Sequence, residues 1–213
     1  MPLIRANGVE LFFDLAGPEG APVVAFSNSI GTTLEMWDAQ VDVLSRHYRC
    51  LRYDTRGHGR SEVVDRPIGI GDLAGDLAGL LDALDIPKAH IVGLSLGGMT
   101  AQALAIDHPS RIETLVLMAT AAHLPPAEAW EQRAALVRRN GMAAIVDAVV
   151  PRWFTPPFME RDGQTVAHVR ERFLKLDPRG DAACCRAIRD MVLRQDIAAI
   201  RAPTLVVAGA DDP

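Results

Sequence analysis

Only three cysteines occur in the 213 residues, and none has the spacing of a metal site or a disulfide framework. Cys50 falls in an apolar run and Cys184-Cys185 are chain neighbours, so buried or idle thiols in a reducing compartment are expected. No apolar run approaches membrane-spanning length, and Arg5, Glu10 and Asp14 interrupt the region where a signal peptide would need its apolar core. A cytoplasmic protein without a membrane partner is expected. Basic excess is lacking too: the formal net charge is -5 and the charges are scattered, which excludes nucleic acid as a partner. Gly57-His58-Gly59 lacks the third glycine of a dinucleotide loop, and Gly97-Gly98 lacks the lysine of a phosphate loop. No metal or organic cofactor is called for. Repeats, low-complexity tracts and polar linkers are missing as well, and with 49% hydrophobic residues the chain has the material for one sizeable core.

What is present is an alternation of strand-like and helix-like segments, the pattern of a mainly parallel sheet covered by helices on both faces. Strands are expected at Val9 to Leu15, Val23 to Ser27, Tyr48 to Tyr53, Ala89 to Val92, Thr114 to Ala119 and Thr204 to Ala208. Helices are expected at Met36 to Ser45, at Ile70 to Leu84, where leucines recur at helical spacing until Pro87 ends the run, and at Met99 to His108. From Ala121 to Arg201 the alternation stops. Helical stretches at Trp130 to Asn140, Ala143 to Val150, Val166 to Leu176 and Ala182 to Arg194, with a break at Pro156-Pro157, predict a helical cap lying over the sheet. The expected division is therefore a core over 1–120, a cap over 121–201 and a return to the core over 202–213.

The chemistry centres on Gly93-Leu94-Ser95-Leu96-Gly97, which joins a strand to a helix. A serine at so sharp a turn adopts strained backbone, and side chains two residues to either side would collide with neighbouring elements, which explains both glycines. Such a serine is a nucleophile for acyl transfer once a base takes its proton and a third group holds the base. The acid is placed at Asp212, with Asp211 in reserve, because reactive groups gather at the carboxyl ends of strands and Thr204 to Ala208 runs into Gly209-Ala210-Asp211-Asp212. Ala119-Thr120-Ala121-Ala122, at another strand end, offers no acid. Oxyanion donors are expected at Leu96, the residue after the nucleophile, and at Ser29 in the small-residue loop after Val23 to Ser27. The base is harder. Of the six histidines, none follows Asp212; His90 lies in a strand, His47 and His108 lie at helix ends, and His168 is expected to be a solvated cap residue. His123 is placed to line a pocket, and His58, the most tempting substitute for the base, is read instead as part of a turn stabilised by Asp54 and Arg56.

The order of nucleophile elbow, long helical insertion and late aspartate resembles the α/β-hydrolase superfamily over essentially the whole chain. Phe26-Ser27-Asn28-Ser29-Ile30-Gly31-Thr32, Ala119 to Ala122, Trp130 with Arg133, Arg152-Trp153-Phe154 and Ala182-Ala183-Cys184-Cys185-Arg186-Ala187-Ile188-Arg189-Asp190 narrow it to similarity with the 3-oxoadipate enol-lactonases. That resemblance implies opening of a lactone ring in aromatic catabolism, with Ser95 as nucleophile, Asp212 as acid, and Ser29 and Leu96 as oxyanion donors. The family's histidine lies beyond one further helix and strand, so these residues are expected to stop short of the last part of that fold. The chain alone is then expected to be nearly inactive, exposing apolar surface at Thr204 to Ala208 and associating with the absent segment or with its own kind. Asp181 and Val192 stand where the family leads one to expect an aromatic and an acidic residue. A lactone carrying a carboxylate needs a cation, for which Arg133 beside Trp130 suits, while Trp153 is expected to form an apolar wall. The rival readings are a related small-substrate carboxylesterase or perhydrolase, and a non-catalytic ligand-binding protein of the same fold.

Overall fold

The structure, a computed structural model, describes residues 2–212. In chain order the elements are β1 (Leu3–Ala6), β2 (Val9–Ala16), β3 (Val23–Ser27), α1 (Asp38–Leu44), β4 (Arg49–Tyr53), α2 (Ile70–Ala83), β5 (Ala89–Leu94), α3 (Leu96–Asp107), β6 (Ile112–Met118), α4 (Ala127–Asn140), α5 (Val146–Val149), α6 (Pro156–Arg161), α7 (Gly163–Leu174), α8 (Pro178–Asp190) and β7 (Thr204–Val207). Among the described residues the strands form a single sheet in the order β1-β2-β4-β3-β5-β6-β7. The pairs β1/β2 and β2/β4 are antiparallel, and from β4 to β7 every pair is parallel.

Strand alternation sends each central strand into two cores. Ala25 and Leu51 join the large core with α2 and α3, while Val24, Phe26 and Cys50 face the opposite side and pack with Trp37 and Val41. In α2 the expected stripe is real: Ile70, Leu73, Leu77, Leu80 and Leu81 are all buried. Each such side chain contributes roughly 1.5–3 kcal/mol relative to exposure. In α3 every residue from Leu96 to Ala105 is buried, so its small side chains serve all-round packing instead of one face.

Two differences from the sequence expectation have simple causes. β1 was not anticipated, being a four-residue edge strand with one buried side chain and hence no readable alternation. Pro156-Pro157, expected to break structure, instead opens α6, where proline suits the first turn because its missing N–H would be unpaired anyway.

Sheet order positions the site. The chain passes from β3 to β4 on one side and then returns to β5 on the other, so the loops after β3 and β5 diverge from adjacent strands. In open parallel sheets ligands bind at such a reversal, beyond the carboxyl ends of the strands. Ser27 pairs with Gly93 in register, which sets Ser29 and Ser95 each two residues beyond paired positions.

Candidate active site

Ser95 has φ 53° and ψ -113°, a conformation that a non-glycine residue holds only when its surroundings fix it. Its N–H donates to the Met118 carbonyl at 2.9 Å, and its own carbonyl accepts from Met99 N–H at 3.0 Å and from Thr120 Oγ1 at 2.7 Å. The end of β6 therefore clamps both sides of the strained residue. Space around the turn is equally constrained. A β-carbon on Gly97 would run into the Ser27 carbonyl and stand 2.9 Å from Asn28 N, and one on Gly98 would lie 2.6 Å from Thr120 Oγ1. One on Gly93 would meet the Gly97–Gly98 peptide, at 2.7 Å from Gly98 N.

The contact of Gly97 with the Ser27–Asn28 peptide brings the β3 loop against the start of α3, so that Leu96 and Ser29 flank one point of closest backbone approach. Leu96 N–H heads the helix and has no intrahelical acceptor; among the described residues neither it nor Ser29 N–H donates a hydrogen bond. Two free amide groups beside a strained serine can stabilise a carbonyl oxygen that gains charge.

The loop carrying Ser29 is held from below. Asn28 is fully buried; its amide donates to the Tyr53 carbonyl at 2.7 Å and its side-chain oxygen accepts from Trp37 Nε1 at 2.8 Å. Thr32 Oγ1 donates to the Ser29 carbonyl at 2.7 Å, and Gly31 N–H donates to His58 Nε2 at 3.1 Å. A β-carbon on Gly31, at φ 80°, would stand 2.7 Å from Phe173 and 3.4 Å from Trp153. Trp153 thus sits against the loop after β3, with its ring centroid 5.8 Å from that of Phe173. Phe173, buried at the end of α7, was not singled out from sequence; it carries no motif, only a place in a helical period.

Asp212 lies past β7 at the same end of the sheet, its N–H donating to the Gly209 carbonyl at 3.3 Å, with its side chain exposed. Trp130 is half-buried and donates through Nε1 to the Leu124 carbonyl at 3.0 Å. Arg133 has a resident partner: Nε and Nη2 grip the two oxygens of Asp181, at 3.1 and 2.6 Å, and that carboxylate is fully buried. Asp181, notable in the sequence only as an unexpected residue, is what occupies the arginine's fork, and its charge cancels the cation that a substrate carboxylate would seek.

Three of the histidines, His58, His90 and His123, have partners of their own. His58 is buried, and burial holds its imidazole below the ordinary pKa, against the pull of Asp181. Asp54 does build the expected turn, accepting from Leu34 and Arg60 N–H at 2.8 and 2.9 Å, but Arg56 leaves it to pair with buried Asp76 on α2. His90 Nδ1 lies 2.8 Å from Thr114 Oγ1, His123 Nδ1 lies 3.0 Å from the Met191 carbonyl, and His168 is exposed on α7. Cys184 and Cys185 are buried, and burial raises both thiols far above their usual range. Among the described residues no three His, Cys, Asp or Glu side chains converge as a metal site, and no helix is long and apolar enough to cross a membrane.

A family model described as alpha/beta hydrolase fold matches residues 22–150, and the chain belongs to that family. Within it, the chain is 39% identical over 210 residues to 3-oxoadipate enol-lactonase 2 of Acinetobacter baylyi, covering 99% of this chain and 79% of that one. The crystal structure of the enol-lactonase from Burkholderia xenovorans LB400 superposes with a TM-score of 0.96 at 45% identity, covering 98% of this chain and 81% of that one. A putative carbamate hydrolase, RutD of Variovorax paradoxus, is 32% identical over 95% of this chain and 78% of its own length.

Proposed function

We propose that the protein is a serine hydrolase that opens the ring of 3-oxoadipate enol-lactone to 3-oxoadipate. The observation that carries this reading is the strained Ser95 beside two undonated amides, in a chain 39% identical to an enol-lactonase. Ser95 Oγ attacks the ring carbonyl, and the new C–O bond pushes charge onto the carbonyl oxygen, which the N–H groups of Leu96 and Ser29 receive. The ring C–O bond breaks, the enol oxygen takes the proton removed from Ser95, and the freed enol reverts to its ketone. Water then releases the acyl group and restores the serine hydroxyl. Asp212 orients the imidazole that shuttles these protons. Among the described histidines, His58, His90 and His123 have ring nitrogens within reach of other partners.

Trp153 and Phe173 form the apolar wall against the oxyanion loop. The pairing of Arg133 with Asp181 favours a second reading, hydrolysis of a neutral small ester or carbamate, because the fork that would hold a carboxylate is already filled. Disappearance of enol-lactone absorbance, measured with the protein and with Ser95→Ala, tests the proposal. Loss of a triad member costs on the order of 10⁶-fold in turnover in a well-studied protease. Unchanged turnover in Ser95→Ala defeats the proposal; turnover of neutral esters with none of the lactone transfers it to the second reading.

A further inference from the structure

The turn after β4 sends one side chain under the oxyanion loop. His58 is buried, its Nε2 accepts Gly31 N–H at 3.1 Å, and its Nδ1 faces the Arg56 carbonyl at 3.5 Å. Accepting at Nε2 requires that nitrogen to be bare, so the ring is neutral with its proton on Nδ1. The other anchors of the loop act elsewhere: Asn28 fixes the chain before Ser29, and Thr32 Oγ1 reaches back to the Ser29 carbonyl. The imidazole holds the N–H of the Ile30–Gly31 peptide, whose carbonyl has only a long contact, 3.4 Å, from Ser29 Oγ, and at Gly31 the backbone has φ 80° with no side chain to restrain it. A loose peptide there would let the Ser29 amide swing away from the position beside Ser95.

The turn is itself braced by the cap. A β-carbon on Gly57 would stand 2.6 Å from the α-carbon of Gly180, so the backbone next to His58 lies against the first turn of α8. Asp181 follows at once, and with Arg133 from α4 it is the charged pair whose field reaches the imidazole. His58 therefore stands where the sheet, the cap and the oxyanion loop meet.

We propose that His58 is a positioning residue for ester cleavage: by accepting the Gly31 N–H it holds the Ile30–Gly31 peptide, and through it the Ser29 amide, in the orientation that receives the oxyanion. The proposal rests on the reading of Ser95 and Ser29 given above. It also gives the histidine a role without proton transfer, since its one free lone pair is already engaged.

Two variants separate acceptor from volume. His58→Gln keeps a side-chain oxygen that can accept the same N–H, whereas His58→Phe fills the space with no acceptor. With p-nitrophenyl acetate and the enol-lactone as substrates, His58→Phe is expected to lower kcat about 10²- to 10³-fold, as loss of one oxyanion donor does, and to leave KM little changed. His58→Gln is expected to recover at least about tenfold of that kcat. Melting temperatures of both variants show whether the fold is kept. A kcat unchanged in His58→Phe, or reduced equally in both folded variants, overturns the proposal. Should His58→Phe fail to fold, His58→Gln decides: kcat within about tenfold of wild type supports the role, and a hundredfold loss at unchanged melting temperature overturns it. Ser95→Ala, run alongside, reports on the underlying reading independently: activity that survives it removes that reading, whatever His58 does.

Discussion

Removing Arg133 and removing Asp181 should not cost the same. The pair joins α4 to α8 through a two-pronged ion pair, yet its members differ in their access to water: the Asp181 side chain is 0% exposed and that of Arg133 is 16% exposed. In Arg133→Met the carboxylate stays buried with only the Cys185 thiol, 3.5 Å away, as a weak remaining donor. An uncompensated buried charge costs about 3–5 kcal/mol, and this variant should fall at the upper end. In Asp181→Leu the guanidinium can swing its long stem towards solvent, so the loss should lie near or below about 3 kcal/mol. The double variant Arg133→Met/Asp181→Leu removes both charges and restores apolar packing, and should come within about 1 kcal/mol of wild type.

Urea unfolding of the four proteins closes a double-mutant cycle. At roughly 2–4 °C per kcal/mol for a chain of this size, Arg133→Met should melt about 10–20 °C below wild type, a gap well outside measurement error. The same proteins, assayed with the enol-lactone, separate a structural lock from a substrate clamp. Additive single losses below about 1 kcal/mol, together with a KM for the lactone raised tenfold or more in Arg133→Met alone, would show that the arginine serves the substrate and that the reasoning from its buried partner is wrong.

Gly97→Ala forces a β-carbon into the Ser27 carbonyl, a backbone atom that cannot turn aside; the variant should lose about 1–3 kcal/mol of stability and, because the displaced loop carries Ser29, at least about tenfold in kcat, read by urea unfolding and ester hydrolysis. Acid should weaken the fold through His58. Its folded pKa lies below the ordinary 6.5, so its contribution is complete above that value and declines as pH falls through it, when the unfolded chain takes a proton that the folded one refuses. The slope it adds is at most about 1.4 kcal/mol per pH unit, and His58→Phe should flatten unfolding free energy measured between pH 7.5 and 5.5. The buried Asp54 and Asp76, whose carboxyls are pushed up by burial, act with the opposite sign, in the more acidic carboxylate range. Asp212→Asn should reduce kcat about 10⁴-fold with the fold intact, the loss seen when a triad imidazole is no longer held in its correct tautomer, and a loss under tenfold would move the acid to Asp211.

The parts of this molecule that were legible in sequence are those written in local pattern. The strand Val23–Ser27, the leucine stripe of α2 and the elbow between β5 and α3 each show themselves within a dozen residues, because period and glycine placement are local constraints. What escaped depends on partners far along the chain. Arg133 meets Asp181 across 48 positions, and nothing about either residue alone says that one will neutralise the other. Thr120 was seen only as a position without an acid, yet its hydroxyl holds the Ser95 carbonyl across 25 positions. The short β1 and the proline-led α6 escaped for a different reason, having too few residues for a period to emerge.

The strained serine follows from how three strands are registered against one another, more than from its own motif. A φ of 53° at Ser95 is unfavourable in isolation, so it persists only while its N–H and carbonyl are both tied to the end of β6, at Met118 and Thr120. Those ties exist because Leu94 pairs with Met118 at the close of the β5/β6 ladder. β6 is held in turn by β7, where Val207 lies opposite Met118 and its carbonyl accepts Ala119 N–H at 2.9 Å. A slip of one residue between β6 and β7 would turn every side chain of β7 to the other face and carry Asp212 away from its place at the sheet's carboxyl end. The serine's strain and the aspartate's position are thus two readings of a single register, and a change that loosens the β6/β7 pairing should impair both together, even though neither residue lies on those strands.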